Sequence, residues 1–473
     1  MNCAEQLKIF LRKRLTMAVQ LKPNQTLNLK IKRLGINGEG IAYYKRLIIF
    51  VTGALPGETV VARITKATPR FAEAHLVKVT KKSPDRITPP CPVYEECGGC
   101  QLQHLAYHKQ LDFKKDLLRQ ALEKFKPDGY QNFELRDTIG MDEPWHYRNK
   151  AQFQLRKNKK TKQVEAGLYQ AESHQLVSIK DCLVQEPTTQ KVINTVVNLL
   201  TKYDMPIYDE HSNSGIMRTL MVRIGIETRE VQLVLITKTK KLPQGNALIR
   251  EITHRLPEVV SIMQNIQDKK TSVIMGDETI HLWGKEVINE KINEVSFELS
   301  PRAFFQLNPK QTKILYQEAI HALDLSTPKT VIDAYCGVGT IGLSLAKQAK
   351  EVRGMDIIPQ AIDDAKKNAA AMNLTNTHYE VGTAESLLPK WLKDGFSPDA
   401  IVVDPPRTGL DTQLLKAIEQ SPSPQMVYIS CNVSTLARDL VSLAKIYRVE
   451  YLQSVDMFPQ TARCEVVVKL TRK

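Results

Sequence analysis

Apolar and polar positions alternate through the first part of the chain. Residues 27–31 read Leu-Asn-Leu-Lys-Ile, the period of two expected of a half-buried strand. Residues 47–51 form an apolar strand, and further strands begin at 59–64 and 74–79. Turn signals separate them at Gly35, at Gly38-Glu39-Gly40 and at Leu55-Pro56-Gly57-Glu58. Short strands joined by glycine turns across residues 20–80 predict a small five-stranded β barrel of the oligonucleotide-binding type.

Lys81-Lys82-Ser83-Pro84-Asp85 and Pro89-Pro90 then read as a linker. Strand-like runs at 215–226 and 231–237 mark a β-rich central region, residues 81–303, with no internal repeat. From residue 304 to 473 the pattern changes to strands alternating with helices. Strands are expected at 330–334, 351–357, 399–403 and 425–430, with helices at 342–348, at 359–372 and from about Ser434. That alternation predicts a doubly wound, Rossmann-like α/β domain with a mostly parallel sheet, whose ligands sit beyond the carboxyl ends of the strands.

Composition narrows the function classes. In 473 residues no apolar run reaches the length of a membrane span, and residues 1–19 read as a tail without the layout of a signal peptide. A cytoplasmic protein with no membrane partner is expected, and Met17 is an alternative start. The net charge is +15, and residues 1–90 alone carry 17 Lys or Arg against five Asp or Glu. A basic module of this kind points to nucleic acid, because each phosphate it neutralises releases counterions. Residues 156–162 (Arg-Lys-Asn-Lys-Lys-Thr-Lys) are a basic turn, open to reading as a solvated hairpin tip or as an RNA contact.

The candidate chemistry gathers at the strand ends of the last domain. Asp333-Ala334-Tyr335-Cys336-Gly337-Val338-Gly339-Thr340-Ile341-Gly342 joins a strand to a helix, and its glycines allow close backbone approach to a ligand. Asp356 ends the next strand, where a carboxylate can accept from ribose hydroxyls. The glycine pattern alone also fits a dinucleotide site. Asp404-Pro405-Pro406-Arg407 favours S-adenosylmethionine over NAD, because its prolines hold an extended loop that offers carbonyls and the Asp404 carboxylate to a planar polar edge.

Cys431, in Ile429-Ser430-Cys431-Asn432, falls where the next strand ends and a helix begins. The helix dipole is expected to draw such a thiol toward thiolate, and beside the Asp404 loop it reads as a nucleophile. Glu465, ahead of the apolar run Val466-Val467-Val468, reads either as a base with a raised pKa or as a strand-end surface charge.

Eight cysteines occur, and three of them, Cys91, Cys97 and Cys100, lie within ten residues around Gly98 and Gly99. That spacing is a metal-ligand arrangement, with Cys182 as one candidate for the fourth thiolate. Four thiolates suit zinc or an iron–sulfur cluster, and the long first gap leans toward iron–sulfur.

Together these segments resemble the RNA uracil-5-methyltransferase family, in its 23S rRNA branch with an N-terminal TRAM domain. The likeness runs from about residue 20 onward. It rests on Gly38 to Ala42 and Phe50 to Glu58, the cysteine cluster, Ser300-Pro301-Arg302-Ala303-Phe304-Phe305-Gln306-Leu307-Asn308, Asp333 to Gly339, Asp404 to Gly409, Ser430-Cys431-Asn432 and Asp456 to Glu465. The resemblance implies that Gln306, Tyr335, Asp356 and Asp404 bind S-adenosylmethionine. It implies that Cys431 adds to carbon 6 of uracil and that Glu465 removes the carbon 5 proton. It also implies a 4Fe–4S cluster on Cys91, Cys97, Cys100 and Cys182 that serves structure and RNA contact. The expected partner is RNA, chiefly 23S rRNA and not DNA, and the expected state is a monomer. Two positions depart from the family pattern: Arg463 stands where a histidine is common, and Asp356 where glutamate is.

Other readings remain at this level. A tRNA substrate competes with rRNA. An RNA-binding protein without turnover would be expected to lose Cys431 or Asp404, and both are present. An NAD-dependent oxidoreductase would use the glycine turn alone.

Overall fold

The alternation at residues 27–31 appears as strand β1 (Thr26–Lys30), whose side chains are exposed and buried in turn. The computed structural model describes residues 21–171, 173–292 and 295–473. The tail, with Cys3 and the alternative start Met17, lies outside the described residues.

The chain forms two units. The first contains its described residues up to Pro90, together with Cys100–Phe113 and Gln460–Ala462. After β1 come β2 (Arg33–Leu34), β3 (Gly40–Tyr44), β4 (Leu47–Thr52), β5 (Thr59–Ala67) and β6 (Phe71–Lys81). They make one sheet in the order β1-β5-β6-β4-β3-β2, with β4 and β6 parallel and the other neighbours antiparallel. The sheet has six strands where five were expected, because Gly40 starts a strand instead of closing a turn. A Cβ at Gly40 would meet the Ala54 carbonyl oxygen at 2.7 Å, so its glycine serves close packing. Leu27, Leu29, Ile49, Val51, Val60 and Ile64 form the core. The linker is tied down: Arg86 donates to both carboxylate oxygens of buried Glu58, at 2.6 and 2.8 Å.

Helix α1 spans Tyr107–Phe125. The second unit contains Cys91–Gly99, Lys114–Pro459 and Arg463–Lys473. After the short β7 (Glu134–Leu135), its first sheet is built from β8 (Lys150–Lys157), β9 (Val164–Tyr169), β10 (Leu176–Ser178), β11 (Met217–Ile224), β12 (Val231–Thr237), β13 (Val259–Ile266) and β14 (Glu278–Gly284). The order is β10-β9-β8-β11-β12-β13-β14. Helices α2 (Pro187–Lys202) and α3 (Gly245–Arg255) share its apolar core through Val192, Val196, Leu248 and Ile252. The basic turn is the β8–β9 hairpin tip: Arg156 pairs with Glu165 and Lys157 with Asp204, while Lys159, Lys160 and Lys162 are exposed.

The hairpin of β15 (Ile288–Ile292) and β16 (Val295–Leu299) joins the core of the last sheet. That region alternates α4 (Pro309–Ala322), β17 (Thr330–Ala334), α5 (Thr340–Ala346), β18 (Glu351–Asp356), α6 (Pro359–Ala371), β19 (Thr377–Val381), α7 (Ala384–Lys393), β20 (Ala400–Val403), α8 (Thr412–Gln420), β21 (Gln425–Ser430), α9 (Val433–Ile446), β22 (Tyr447–Val455) and β23 (Glu465–Arg472). The sheet order is β19-β18-β17-β20-β21-β23-β22-β7. Its first five strands are parallel and β23 is antiparallel to its neighbours, which is the doubly wound α/β fold the alternation predicts. Helix α5 starts two residues before the expected position, because Gly339 caps it at φ 81°. Among the described residues no helix is long and apolar enough to cross a membrane.

Candidate active site

The carboxyl ends of four neighbouring parallel strands, β18, β17, β20 and β21, present one residue each at the same sheet edge. Asp356 is the last residue of β18, Tyr335 follows β17, Asp404 follows β20 and Cys431 follows β21. Strand β23 runs the other way and begins there with Glu465. Thus five of the residues named from the sequence share one edge.

The glycine loop is built as a cradle. Tyr335 takes φ 64°, an uncommon conformation for a side chain of its size, followed by Gly337 at φ 54° and Gly339 at φ 81°. Asp356 Oδ2 accepts from the Gly337 N–H at 3.0 Å, and its Oδ1 accepts from the Ile358 N–H at 2.9 Å. The Tyr335 hydroxyl donates to Glu385 at 3.2 Å, and burial together with that carboxylate pushes its pKa up. Below the loop, buried Asp333 accepts from the Gly342 N–H at 2.7 Å. Its other oxygen has no hydrogen-bond partner among the described residues.

Burial sets the electrostatics. It pushes Asp333 and Asp404 each up to about 7. Glu465 is pushed up to about 8 by burial and by the Asp404 charge, with Lys114 acting weakly against them. Buried Tyr316 on α4 senses Asp404, Glu465 and Asp333, and its hydroxyl meets that of Thr340 at 3.1 Å. Carboxylates crowded in low dielectric, with an unpartnered oxygen among them, suit a ligand that brings positive charge, as the sulfonium of S-adenosylmethionine does.

Cys431 lies just before Asn432, which caps α9 by accepting from the Ser434 N–H at 3.1 Å. The expectation that the helix dipole lowers its pKa is corrected: burial, then Glu465, then Asp404 push the thiol up. Arg407, and after it a backbone hydrogen bond at Cys431, act the other way. Arg463 also lies within reach of Cys431 and of Arg407. The thiol therefore sits between carboxylates that oppose its ionisation and guanidiniums that favour it.

Gln306 is buried and is held through its backbone. Asn149 donates to its carbonyl at 3.3 Å, and the Asn149 N–H donates to the Leu307 carbonyl at 3.0 Å. Asn308 caps α4 and donates to the Met457 carbonyl at 3.1 Å, while Gln311 donates to the Asp456 carbonyl at 3.0 Å. These bonds stitch the Gln306 segment to the stretch that leads into Glu465. Phe304 stands out, 70% exposed, two residues before Gln306.

Two features escaped sequence reading. Lys114 of α1 forms a fully buried ion pair with Asp456 and donates to the Phe458 carbonyl at 3.1 Å. Tyr379 fills the space beneath the glycine loop, where a Cβ on Gly354 would fall 2.4 Å from its ring. Neither has a local signature, since a lysine in a helix and a tyrosine in a strand carry no mark of their distant partners.

The cysteine cluster is partly assembled. Cys91, Cys97 and Cys182 lie within electrostatic reach of one another, and burial raises the last two thiols. Cys100 belongs to the first unit. Four thiols are suitable donors for an iron–sulfur cluster, but among the described residues no three potential ligands converge to hold a metal ion. The donor chemistry of four thiols fits the group.

Carboxylates and a cysteine gathered at the strand ends of a doubly wound sheet, together with the likenesses below, define an S-adenosylmethionine-dependent RNA methyltransferase. The sequence profile of tRNA (uracil-5-)-methyltransferases matches residues 106–473, and that of the TRAM domain matches residues 20–77. The chain belongs to the RNA uracil-5-methyltransferase family. A protein of Enterococcus faecalis described as an uncharacterized RNA methyltransferase is 71% identical over 453 residues, covering 96% of this chain and 99% of the relative. One of Listeria innocua with the same description is 56% identical over the same share of this chain and 99% of its own. The solved tRNA (uracil-54, C5)-methyltransferase of Pyrococcus abyssi, in complex with S-adenosyl-L-homocysteine, superposes with a TM-score of 0.75 at 27% identity, covering 94% of this chain and 100% of that one.

Proposed function

We propose that the protein methylates carbon 5 of a uracil in 23S rRNA, with Cys431 as nucleophile and Glu465 as base. The observation that carries this reading is the meeting of Cys431, Asp404 and Glu465 at one sheet edge, each sensed in the ionisation of the thiol. Carbon 5 of uracil is a weak nucleophile. The Cys431 thiolate adds to carbon 6 and makes carbon 5 electron-rich. Carbon 5 then takes the methyl group from S-adenosylmethionine, and S-adenosylhomocysteine leaves. Glu465 removes the carbon 5 proton, and the carbon–sulfur bond to Cys431 breaks by elimination.

Gln306, Tyr335, Asp356 and Asp404 hold S-adenosylmethionine in this scheme. Its positive charge favours the ionised form of the buried carboxylates, which readies Glu465 to accept a proton. Exposed Phe304 offers a stacking face to a base. Residues 20–80 and 81–303 grip the RNA, residues 304–473 carry the reaction, and the protein acts as a cytoplasmic monomer. The 4Fe–4S cluster on Cys91, Cys97, Cys100 and Cys182 rests on the resemblance and the donor set, and it takes no part in methyl transfer. Iron and sulfide analysis of anaerobically purified protein distinguishes it from zinc.

tRNA is the second reading for the substrate, favoured by the name of the matching profile and by the Pyrococcus neighbour. Incubation with S-adenosylmethionine and separate 23S rRNA and tRNA transcripts, followed by nucleoside mass spectrometry, decides between them. 5-Methyluridine in the rRNA alone is expected; 5-methyluridine in the tRNA alone overturns the rRNA assignment.

A further inference from the structure

Helix α9, which begins just past Cys431, also holds the loop that follows Asp404. The side chain of Asp439 on α9 is fully buried, and both of its oxygens are used. Oδ2 accepts from the Leu410 N–H and from the Tyr428 hydroxyl of β21, each at 2.8 Å. Oδ1 accepts from Arg438 Nε at 2.9 Å and from Nη2 at 2.7 Å. Arg438 Nη2 donates in turn to the Thr408 carbonyl at 2.8 Å. Nearer the start of α9, Asn432 Nδ2 donates to the Arg407 carbonyl at 2.9 Å, and the Thr435 hydroxyl donates to the same carbonyl at 3.3 Å. Residues 407, 408 and 410 are thus each tied through their backbone to side chains of α9 or its cap.

The packing between them is close. Gly409 sits at φ 77°, and a Cβ there would fall 2.5 Å from Asp439 Oδ2 and 2.6 Å from Arg438 Nη2. A buried carboxylate is costly unless it is paired and hydrogen-bonded. The partners of Asp439 lie on β21, on this loop, or are themselves bonded to it. The stretch they fix carries Arg407, whose guanidinium favours ionisation of the Cys431 thiol against Glu465 of β23 and Asp404 after β20. Arg463, ahead of β23, lies within reach of both Arg407 and the thiol.

We propose that Asp439, with Arg438, is a positioning residue for the nucleophile: it latches the 407–410 loop onto α9 and so keeps the Arg407 guanidinium beside Cys431. This rests on the reading of Cys431 as the nucleophile. Arg407 and Cys431 then share α9 as a common frame, and the cation that helps form the thiolate is held by a residue that touches neither substrate nor thiol.

The test reads the thiol separately from turnover. Alkylation of Cys431 by iodoacetamide is followed by peptide mass spectrometry across neutral to alkaline pH in wild type, Asp439→Asn, Arg438→Lys, Arg407→Ala and Arg407→Ala/Asp439→Asn. Near neutral pH, Asp439→Asn is expected to slow alkylation by about three- to tenfold, and the difference is expected to close as pH rises. The sign is diagnostic. Deleting a negative charge would by itself ease ionisation, and a loosened fold would expose the thiol, so both of those effects speed the reaction. Arg438→Lys keeps the charge and the Asp439 carboxylate but loses the fork that joins Asp439 to Thr408, and it is expected to slow alkylation by about two- to threefold. It carries the test if loss of the buried carboxylate prevents folding, which binding of S-adenosylhomocysteine reports. In the Arg407→Ala background, Asp439→Asn is expected to add nothing, because the group it positions is gone. Alkylation that is unchanged or faster in the folded variants overturns the latch, as does a full further effect of Asp439→Asn without Arg407. Should the wild type form no 5-methyluridine, slowed alkylation in these variants leaves the latch standing and the proposed reaction refuted.

Discussion

Cys431 and Glu465 continue the β21–β23 register one step past the Ser430–Val466 pair, which sets the proposed nucleophile beside the proposed base on adjoining strands. Cys431 directly follows β21 and Glu465 is the first residue of β23. The consequence is electrostatic, since the Glu465 carboxylate opposes formation of the Cys431 thiolate. In the unliganded protein Cys431 is therefore expected to react slowly with iodoacetamide at neutral pH. Glu465→Gln should speed alkylation at alkaline pH, and Arg407→Ala should slow it, as followed by peptide mass spectrometry. Equal rates in all three proteins would contradict the arrangement.

As a base, Glu465 must be ionised during turnover. Glu465→Gln is expected to lower the rate of methyl transfer by about 10²–10⁴-fold, with binding of S-adenosylhomocysteine retained. Single-turnover kinetics with calorimetric binding separate the two effects. A variant with full activity would assign the base elsewhere.

The same carboxyl group sets a pH dependence of stability. Its folded pKa, about 8, lies above its ordinary value of 4.5, so the native state binds the proton more tightly than the unfolded state. That stabilisation is complete below about 4.5 and is lost as pH rises through about 8. Asp404 and Asp333 act in the same sense, up to about 7. Denaturant unfolding between pH 5 and pH 9 should show Glu465→Gln gaining stability relative to wild type as pH rises. A constant difference would mean that the group is not buried as described.

Two packing features give further tests. Lys114→Met leaves Asp456 buried without its countercharge and is expected to cost about 3–5 kcal/mol. The double variant Lys114→Met/Asp456→Leu is expected to recover part of that loss. Tyr379→Phe is expected to be neutral or slightly stabilising, because the buried Tyr379 hydroxyl has no hydrogen-bond partner among the described residues. Gly354→Ala, which drives a methyl group into the Tyr379 ring, is expected to cost about 1–3 kcal/mol. Urea unfolding measures all four.

Much of this architecture is legible in the chain because its signals are local. Strands at 330–334 and 425–430 coincide with β17 and β21, since apolar runs bounded by turn residues specify buried parallel strands. The residues that close those strands, Tyr335, Asp404 and Cys431, inherit their common edge from the topology. Illegible features depend on distant pairing. The extra strand at Gly40 needs the Ala54 carbonyl above it, and the Lys114–Asp456 pair joins residues far apart in the chain. The direction of the Cys431 shift is illegible in the sequence for a related reason. The cap of α9 is local and visible, while the carboxylates that outweigh it arrive from β20 and β23.

The central claim is covalent catalysis by Cys431 on a uracil of RNA. The most direct measurement mixes the protein with S-adenosylmethionine and a 23S rRNA fragment carrying 5-fluorouridine, then looks for a protein–RNA adduct on a denaturing gel. Fluorine cannot leave as the proton does, so the adduct should persist in the wild type and vanish in Cys431→Ala. Absence of the adduct in wild type, with S-adenosylmethionine bound and both rRNA and tRNA tried, or its persistence in Cys431→Ala, would contradict the account.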